Sequence, residues 1–220
     1  MLSSAAVRKA AKEARQAEIE RAREAARTKE AEEDPARDWY GQLAVQFATL
    51  APATGDAQEV AGLEELHGTS ALVGQRVTVR ARVQGVRVTG KHAFLVLRAG
   101  MATMQAVVSE GQGVSRGMVR FAGALGRESV VQCAGELRGA QVTSSLVTQQ
   151  TAELAVDRLF VVHAAQRVPP FAVEDAARAE EARADASAEE HALPRVLLDT
   201  RLNHRVVDLR TATNQAVFRI

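Results

Sequence analysis

Residues 91–108 read KHAFLVLRAGMATMQAVV, and this stretch decides which fold the sequence predicts. Within HAFLVLR, aliphatic side chains occupy every second position, which is the period of a β-strand that has one face on a core. The opposite row holds Phe94 and Arg98, which we expect to face outward. MQAVV follows a glycine turn and predicts a second strand beside the first. The aliphatic row that is expected to fill the core consists of Ala93, Leu95 and Leu97.

The same period of two recurs on both sides of this stretch. RVTVRARV at 76–83 alternates Val or Ala with Arg or Thr, so we predict a strand with one apolar and one cationic face. SRGMVRFAGAL at 115–125 has apolar residues at helical spacing, and further strands are predicted at 129–139 and 152–162. Three strands, a helix and two strands in this order are typical of the OB-fold, a five-stranded Greek-key barrel that binds oligonucleotides on its second and third strands. We therefore predict a mainly β chain with this barrel at 74–165.

Four other regions differ from the barrel in composition. Residues 1–35 are rich in Ala, Glu, Arg and Lys and end at a proline, which predicts a long polar helix. The residues alone leave open whether its short basic stripe binds phosphate or is solvated. We expect 36–73 to be a linker with a small anchor and 166–198 to be an acidic connector. Residues 199–220 begin a new helical pattern, which we expect to be the truncated start of a further domain.

Charge is segregated along the chain although the formal net charge is only +1. The predicted barrel holds eleven Lys or Arg against five Asp or Glu, whereas 166–199 holds four against eight. A basic globular segment of this kind supports a polyanionic partner. Cys133 is the only cysteine, so no internal disulfide can form, and no Cys and His spacing indicates a metal site. No run of about 20 apolar residues predicts a membrane span.

Two stretches carry a resemblance to a known family. GKHAFLVLR with MQAVV, and above all DTRLNHRVVDLRTATNQAVFRI at 199–220, resemble segments of eukaryotic cytosolic aspartyl-tRNA synthetase, a class II enzyme. MVRFAGALGRESVV and VPPFAVEDAAR are similar to its barrel and connector, so the resemblance covers about Leu72 to Ile220. It implies that the barrel binds the anticodon loop of tRNA(Asp).

The resemblance also implies roles for individual residues. Phe94 corresponds to the aromatic on which a splayed-out base stacks, and Gln105 to the amide that hydrogen-bonds the central uracil. Arg87 lies near the cation of the loop after the first strand, and Glu153 corresponds to a carboxylate of the fifth strand. From the residues alone, Phe94 could instead belong to a small outer apolar cluster. Further candidate contacts to nucleic acid are the amides Gln149 and Gln150 and, as a phosphate contact or a plain surface charge, Arg98.

The reaction that the resemblance implies for the complete family member is ATP-dependent attachment of aspartate to tRNA(Asp). ATP and Mg²⁺ are expected to bind outside the residues present, so we expect no catalytic, cofactor or metal residues in this chain and no activity from it alone. A cytoplasmic location and a homodimer are implied for the complete protein, with a monomer left open for this piece. Two alternatives stay open: a freestanding OB-fold nucleic-acid adaptor without catalysis, and a lysyl- or asparaginyl-tRNA synthetase that shares the barrel.

Overall fold

The fold was analysed in a computed structural model of the chain, which describes most of the residues after position 61 and fewer before it. The described residues are 12, 15–24, 26, 28–29, 33–43, 58–59, 62–111, 113–166, 168–178 and 194–220. Seven strands lie within them. They are β1 (Tyr40–Gln42), β2 (Gln58–Glu59), β3 (Arg76–Thr89), β4 (His92–Ala99), β5 (Ala102–Ser109), β6 (Val130–Gly139) and β7 (Gln149–His163).

Strands β3 to β7 close into a barrel. β3 pairs antiparallel with β4 on one side and with β6 on the other, and β4 pairs antiparallel with β5. β5 then pairs parallel with β7, and β7 pairs antiparallel with β6, which completes the ring. The predicted five-stranded OB-fold barrel is therefore confirmed. β1 and β2 add to its outside, where β1 runs parallel to β7 and β2 parallel to β3.

The barrel interior is filled by the aliphatic rows that the period of two predicts. Ala93, Leu95 and Leu97 of β4 are all fully buried, as expected. Their strand pairs with β5 in continuous register from His92 opposite Ser109 to Ala99 opposite Ala102. Side chains of every barrel strand join the same core, among them Val77, Val83, Met104, Val108, Val131, Leu137, Leu154 and Leu159.

Helix α1 (Arg116–Gly123) packs against one part of this core. It begins at Ser115, whose Oγ accepts a hydrogen bond from the backbone N–H of Met118 at 3.1 Å, as an N-cap does. Met118 and Ala122 are fully buried and Val119 nearly so. The helix that apolar spacing predicts at 115–125 is therefore confirmed.

Residues 33–43 lie against the barrel beside this helix. A 3-10 turn at Arg37–Trp39 leads into β1, in which Tyr40 is the register partner of Leu159. Asp34 Oδ2 accepts hydrogen bonds from Tyr40 Oη at 2.7 Å and from Ser115 Oγ at 2.5 Å. Before this anchor, residues 12, 15–24, 26 and 28–29 are helical and exposed, which agrees with the predicted polar helix. Residues 33–35, which the prediction included, are not helical, and the others lie outside the described residues.

Four short helices lie within the described residues after the barrel. They are α2 (Val173–Ala177), α3 (Leu198–Asn203), α4 (Arg205–Asp208) and α5 (Ala212–Val217). Asp208 is fully buried and holds this segment together, because it pairs with Arg201 Nε at 2.5 Å and also with Arg205. Within the residues described, no helix is long and apolar enough to cross a membrane.

Candidate nucleic-acid interface

Four of the residues singled out in the sequence lie next to one another on the outside of the barrel. We call them the platform residues: Arg87 of β3, Phe94 of β4, Gln105 of β5 and Glu153 of β7. Arg87 is the register partner of Phe94. Gln105 is the partner of Glu153, and it also lies opposite Val96, two residues along β4 from Phe94. Pleating therefore places all four on one continuous outer face that crosses four strands.

Phe94 forms the aromatic part of this face. Its neighbours in the strand are fully buried, whereas Phe94 itself is half-buried, so one side of its ring lies against the barrel and the remainder reaches solvent. The guanidinium carbon of Arg87 lies 5.0 Å from the centre of the ring, a cation–π contact. The imidazole of His92 lies 6.3 Å from the same ring at a tilt of 45°. The ring is thus oriented by two neighbours.

Gln105 and Glu153 form the polar part of the face. Gln105 Nε2 donates a hydrogen bond to Glu153 Oε2 at 3.0 Å, and both residues are half-buried. The bond fixes the amide plane, so that its oxygen can serve as an acceptor and the carboxylate keeps further acceptor sites. An acceptor and a donor on one rigid amide match the edge of a pyrimidine base.

The two other candidate amides lie where β7 begins. Gln149 donates through Nε2 to the carbonyl oxygen of Glu64 at 3.4 Å, and Gln150 is exposed. The preceding loop is fixed to β5, because Thr148 and Thr103 exchange backbone and side-chain hydrogen bonds of 2.8 to 3.1 Å. Met104 pairs with Gln149 and Gln105 pairs with Glu153, so three residues of β7 lie between the partners of two adjacent β5 residues and the strand bulges here. The amides are therefore beside the platform residues rather than among them.

Arg98 differs from its prediction. We expected its side chain to face outward, as a phosphate contact or a plain surface charge, but it is 8% exposed. Its Nη2 pairs with Glu128, and its Nη1 donates to the carbonyl oxygen of Arg210 at 3.1 Å. The expected exposure is wrong because the segment around Arg210, far along the chain, covers this end of β4.

The sequence did not predict two clusters of interacting polar side chains, one around Glu128 and one around Asp34. In the first, Glu128 accepts from both Arg98 and, at 2.9 Å, Arg210. Its φ of 66° is the only positive value at a non-glycine residue in the described part of the chain, a conformation that buried ion pairs can hold in place. The sequence signal was weak: an acid after Gly126 and Arg127 in a turn.

No group of three His, Cys, Asp or Glu side chains suited to a metal ion occurs within the described ranges.

The second cluster joins the anchor to helix α1. Burial, and then the hydrogen bond and negative charge of Asp34, raise the pKa of Tyr40 to about 12. Burial alone would raise the pKa of Asp34, but hydrogen bonds from Ser115, Tyr40 and the Ala36 backbone, with the charge of Arg120, lower it. Proximity of this anchor to the barrel could not be read from DWYGQ, which has no strand-like alternation.

Comparisons with known proteins agree with the barrel fold. Residues 77–162 match the tRNA anti-codon family, described as an OB-fold nucleic acid binding domain. The cytoplasmic aspartate–tRNA ligase of Bos taurus is 41% identical over 147 residues, which are 67% of this chain and 28% of that ligase. Cytoplasmic aspartate–tRNA ligase 1 of Arabidopsis thaliana is 34% identical over 206 residues, 94% of this chain and 37% of that protein.

A solved structure gives the same result in three dimensions. The aspartyl tRNA synthetase from Entamoeba histolytica superposes with a TM-score of 0.71 and 31% identity, covering 82% of this chain and 38% of that one. The chain therefore spans roughly a third of the length of the relatives it matches. The shared part includes their anticodon-binding domain.

Proposed function

We propose that this chain binds the anticodon loop of tRNA(Asp) through the platform residues. The proposal starts from residues 77–162, an OB-fold anticodon-binding domain of the cytosolic aspartyl-tRNA synthetase type. The observation that carries the proposal is the side-by-side placement of an outward aromatic ring and a fixed amide on adjacent strands. Sequence-specific proteins recognise single-stranded RNA loops by stacking unpaired bases on aromatic rings and reading their edges.

In this proposal Phe94 is the stacking platform for one anticodon base. Stacking of a base on an aromatic ring contributes about 1 to 3 kcal/mol and tolerates any base, since each has a π-face. Arg87, which lies over the same ring at 5.0 Å, orients it and adds positive charge near the RNA backbone. The alternative role for Phe94, in an outer apolar cluster, would not explain why a charged guanidinium group lies over its ring.

Gln105 supplies base identity in the same proposal. Its amide oxygen accepts from N3–H of a uracil while Glu153 holds the amide nitrogen at 3.0 Å. Cytosine has no N3–H, so it would leave the amide oxygen without its donor. Gln149 and Gln150 are proposed to contact a flanking anticodon base, which their position at the start of β7 supports.

The activity of the complete protein is proposed from its relatives. These are named aspartate–tRNA ligases, and we infer that the full-length protein attaches aspartate to tRNA(Asp) in the cytoplasm with ATP and Mg²⁺, as a homodimer. ATP and Mg²⁺ are proposed to bind parts of the full-length protein other than these residues. Within the described ranges, no group of three His, Cys, Asp or Glu side chains suits a metal ion.

The proposal is tested by binding an RNA stem-loop with the aspartate anticodon to three variants. Phe94→Ala is expected to weaken binding by about 1 to 3 kcal/mol, and Phe94→Tyr to bind nearly as well as the wild type because the ring is kept. Phe218→Ala is the matched control, since that ring is 70% exposed and belongs to another segment. Undiminished binding by Phe94→Ala, with the circular dichroism spectrum unchanged, would contradict the proposal.

Competition separates the two alternative functions. Stem-loops with the aspartate, asparagine and lysine anticodons are added to one labelled complex. A sister synthetase would prefer one of the last two, and a general nucleic-acid adaptor would bind all three equally. The proposal predicts that the aspartate loop competes best.

A further inference from the structure

A cleft with strongly positive walls lies between the barrel and the C-terminal segment. It has a volume of about 350 Å³ and is open to solvent. Four arginines line it: Arg80 and Arg82 of β3, Arg98 of β4, and Arg210. The remaining lining residues carry no charge, and they are Ala81, Ala99, Gly100, Val130 and Gln215. We call this feature the arginine cleft.

The charges of the arginine cleft are not balanced. Glu128 accepts from Arg98 and Arg210 through its two carboxylate oxygens. Arg82 instead donates to the Glu128 carbonyl oxygen at 3.2 Å, and Arg80 to the neutral amide oxygen of Gln132 at 2.6 Å. Over the part of the chain that the structure describes, no other ion pair reaches these four guanidinium groups. One carboxylate therefore faces four positive charges.

One donor beside the cleft lacks an acceptor. Arg98 is 8% exposed, and its Nε is buried with no hydrogen-bond partner among the described residues. A buried charged donor without an acceptor is unfavourable, but this atom exposes less than 1 Å² and no ligand in the cleft can reach it. The guanidinium groups that a ligand can reach are those of Arg80, Arg82 and Arg210. Burial lowers the pKa of the Arg82 guanidinium; the charge of Arg210 adds to the decrease, Glu128 opposes it, and Arg98 adds a smaller amount. A bound anion would relieve this repulsion.

The shape of the cleft favours phosphate. Guanidinium groups are planar forks that bind two oxygens of a phosphate at once. Glu128 fixes two of the forks, while Arg80 is exposed and Arg82 half-buried, so both can adjust to a ligand. Arg98 belongs to the same outer row of β4 as Phe94. The two positions are four residues apart, so about 13 Å of strand separates them. A nucleic-acid strand that stacks a base on Phe94 can pass the cleft with its backbone.

We propose that the arginine cleft binds a backbone phosphate of the RNA whose loop contacts the platform residues, a proposal that rests on the function proposed above. The contact contributes affinity without base preference, since a phosphate carries no sequence information. Glu128 is a positioning residue, which holds Arg98 and Arg210 towards the cleft.

Salt dependence of RNA binding is the test. The double variant Arg80→Gln/Arg82→Gln removes two charges but leaves both ion pairs of Glu128 intact. It is expected to bind both matched and base-changed stem-loops several-fold more weakly, by the same factor. The slope of log K against log salt should become less negative by about 1 to 2. Arg80→Lys/Arg82→Lys should keep the wild-type slope because it keeps the charge.

Arg76→Gln is the matched control. Arg76 lies on the same face of β3, but Asp157 engages it through two hydrogen bonds, so its loss should change the slope little. Equal slope changes for this control and for the double variant would overturn the proposal, as would an unchanged slope in the double variant. Thermal unfolding of each variant confirms that it is folded.

A second arm distinguishes the source of the phosphate. Inorganic phosphate is added at constant ionic strength while the arginine Nε–H signals are followed by NMR. Shifts confined to the cleft, together with the change in salt slope, support an RNA phosphate. Shifts without a slope change would mean that the cleft binds a free anion, and the RNA contact would be rejected. If the wild type binds the matched and base-changed stem-loops equally, while the double variant still makes the salt slope less negative, the anticodon proposal is rejected and the phosphate contact of the arginine cleft is kept.

Discussion

Replacing Arg98 by Met is expected to destabilise the barrel by about 3 kcal/mol, at the lower end of the range for breaking a buried ion pair. The side chains of Arg98 and Glu128 are 8% and 7% exposed, so the variant leaves a buried carboxylate. Arg210 remains bound to it at 2.9 Å and is itself 27% exposed, which limits the loss. Methionine keeps most of the apolar stem of arginine, so the removed charge dominates the effect.

Urea unfolding followed by circular dichroism measures this loss. Arg98→Met/Glu128→Gln should recover part of the stability, because the buried carboxylate is removed together with Arg98, while Arg210, which then loses its carboxylate partner, is 27% exposed and can be hydrated. The coupling is expected at about 0.5 to 3 kcal/mol. Arg138→Met is the matched control: its pair with Glu136 is 50% and 46% exposed, so it should change stability by about 0 to 1 kcal/mol. A loss of stability for Arg98→Met no larger than that of the control would show that the buried ion pair does not stabilise the barrel.

Three further predictions concern the anchor and the core. Tyr40 is the only tyrosine, so tyrosinate absorbance reports its ionisation alone. Because its pKa is raised to about 12, the docked anchor is fully stable below pH about 10 and is released as the pH rises towards 12. Trp39 fluorescence follows this release, and in Tyr40→Phe the release should no longer depend on pH. Gly117→Ala should displace the anchor and shift Trp39 emission to the red, because its Cβ would lie 2.7 Å from Tyr40 Oη, whereas Gly139→Ala, with open space around its Cβ, should leave the spectrum unchanged. Burial raises the pKa of Cys133 to about 12, so a thiol reagent should react with the native chain far more slowly than with the unfolded one at neutral pH; equal rates would contradict the burial.

The sequence predicts those features that depend on neighbouring residues. Alternation in HAFLVLR is sufficient to place Leu95 inside the barrel and Phe94 outside, because side chains of a strand have a period of two. It cannot reveal that Arg98 is buried, because its partners Glu128 and Arg210 lie 30 and 112 residues away along the chain. The hydrogen bond between Gln105 and Glu153, 48 residues apart, was not predicted either, since the family resemblance implied a separate role for each residue.

The preference of the chain for uracil over cytosine at the central anticodon position is the sharpest test of anticodon binding through the platform residues. The wild type and Gln105→Ala are titrated with two stem-loops that differ only in uracil or cytosine at the central anticodon position. The account predicts that the wild type prefers uracil by about 1 kcal/mol or more, at least about fivefold, and that Gln105→Ala loses this preference. Equal affinity of the wild type for the two loops would contradict the account.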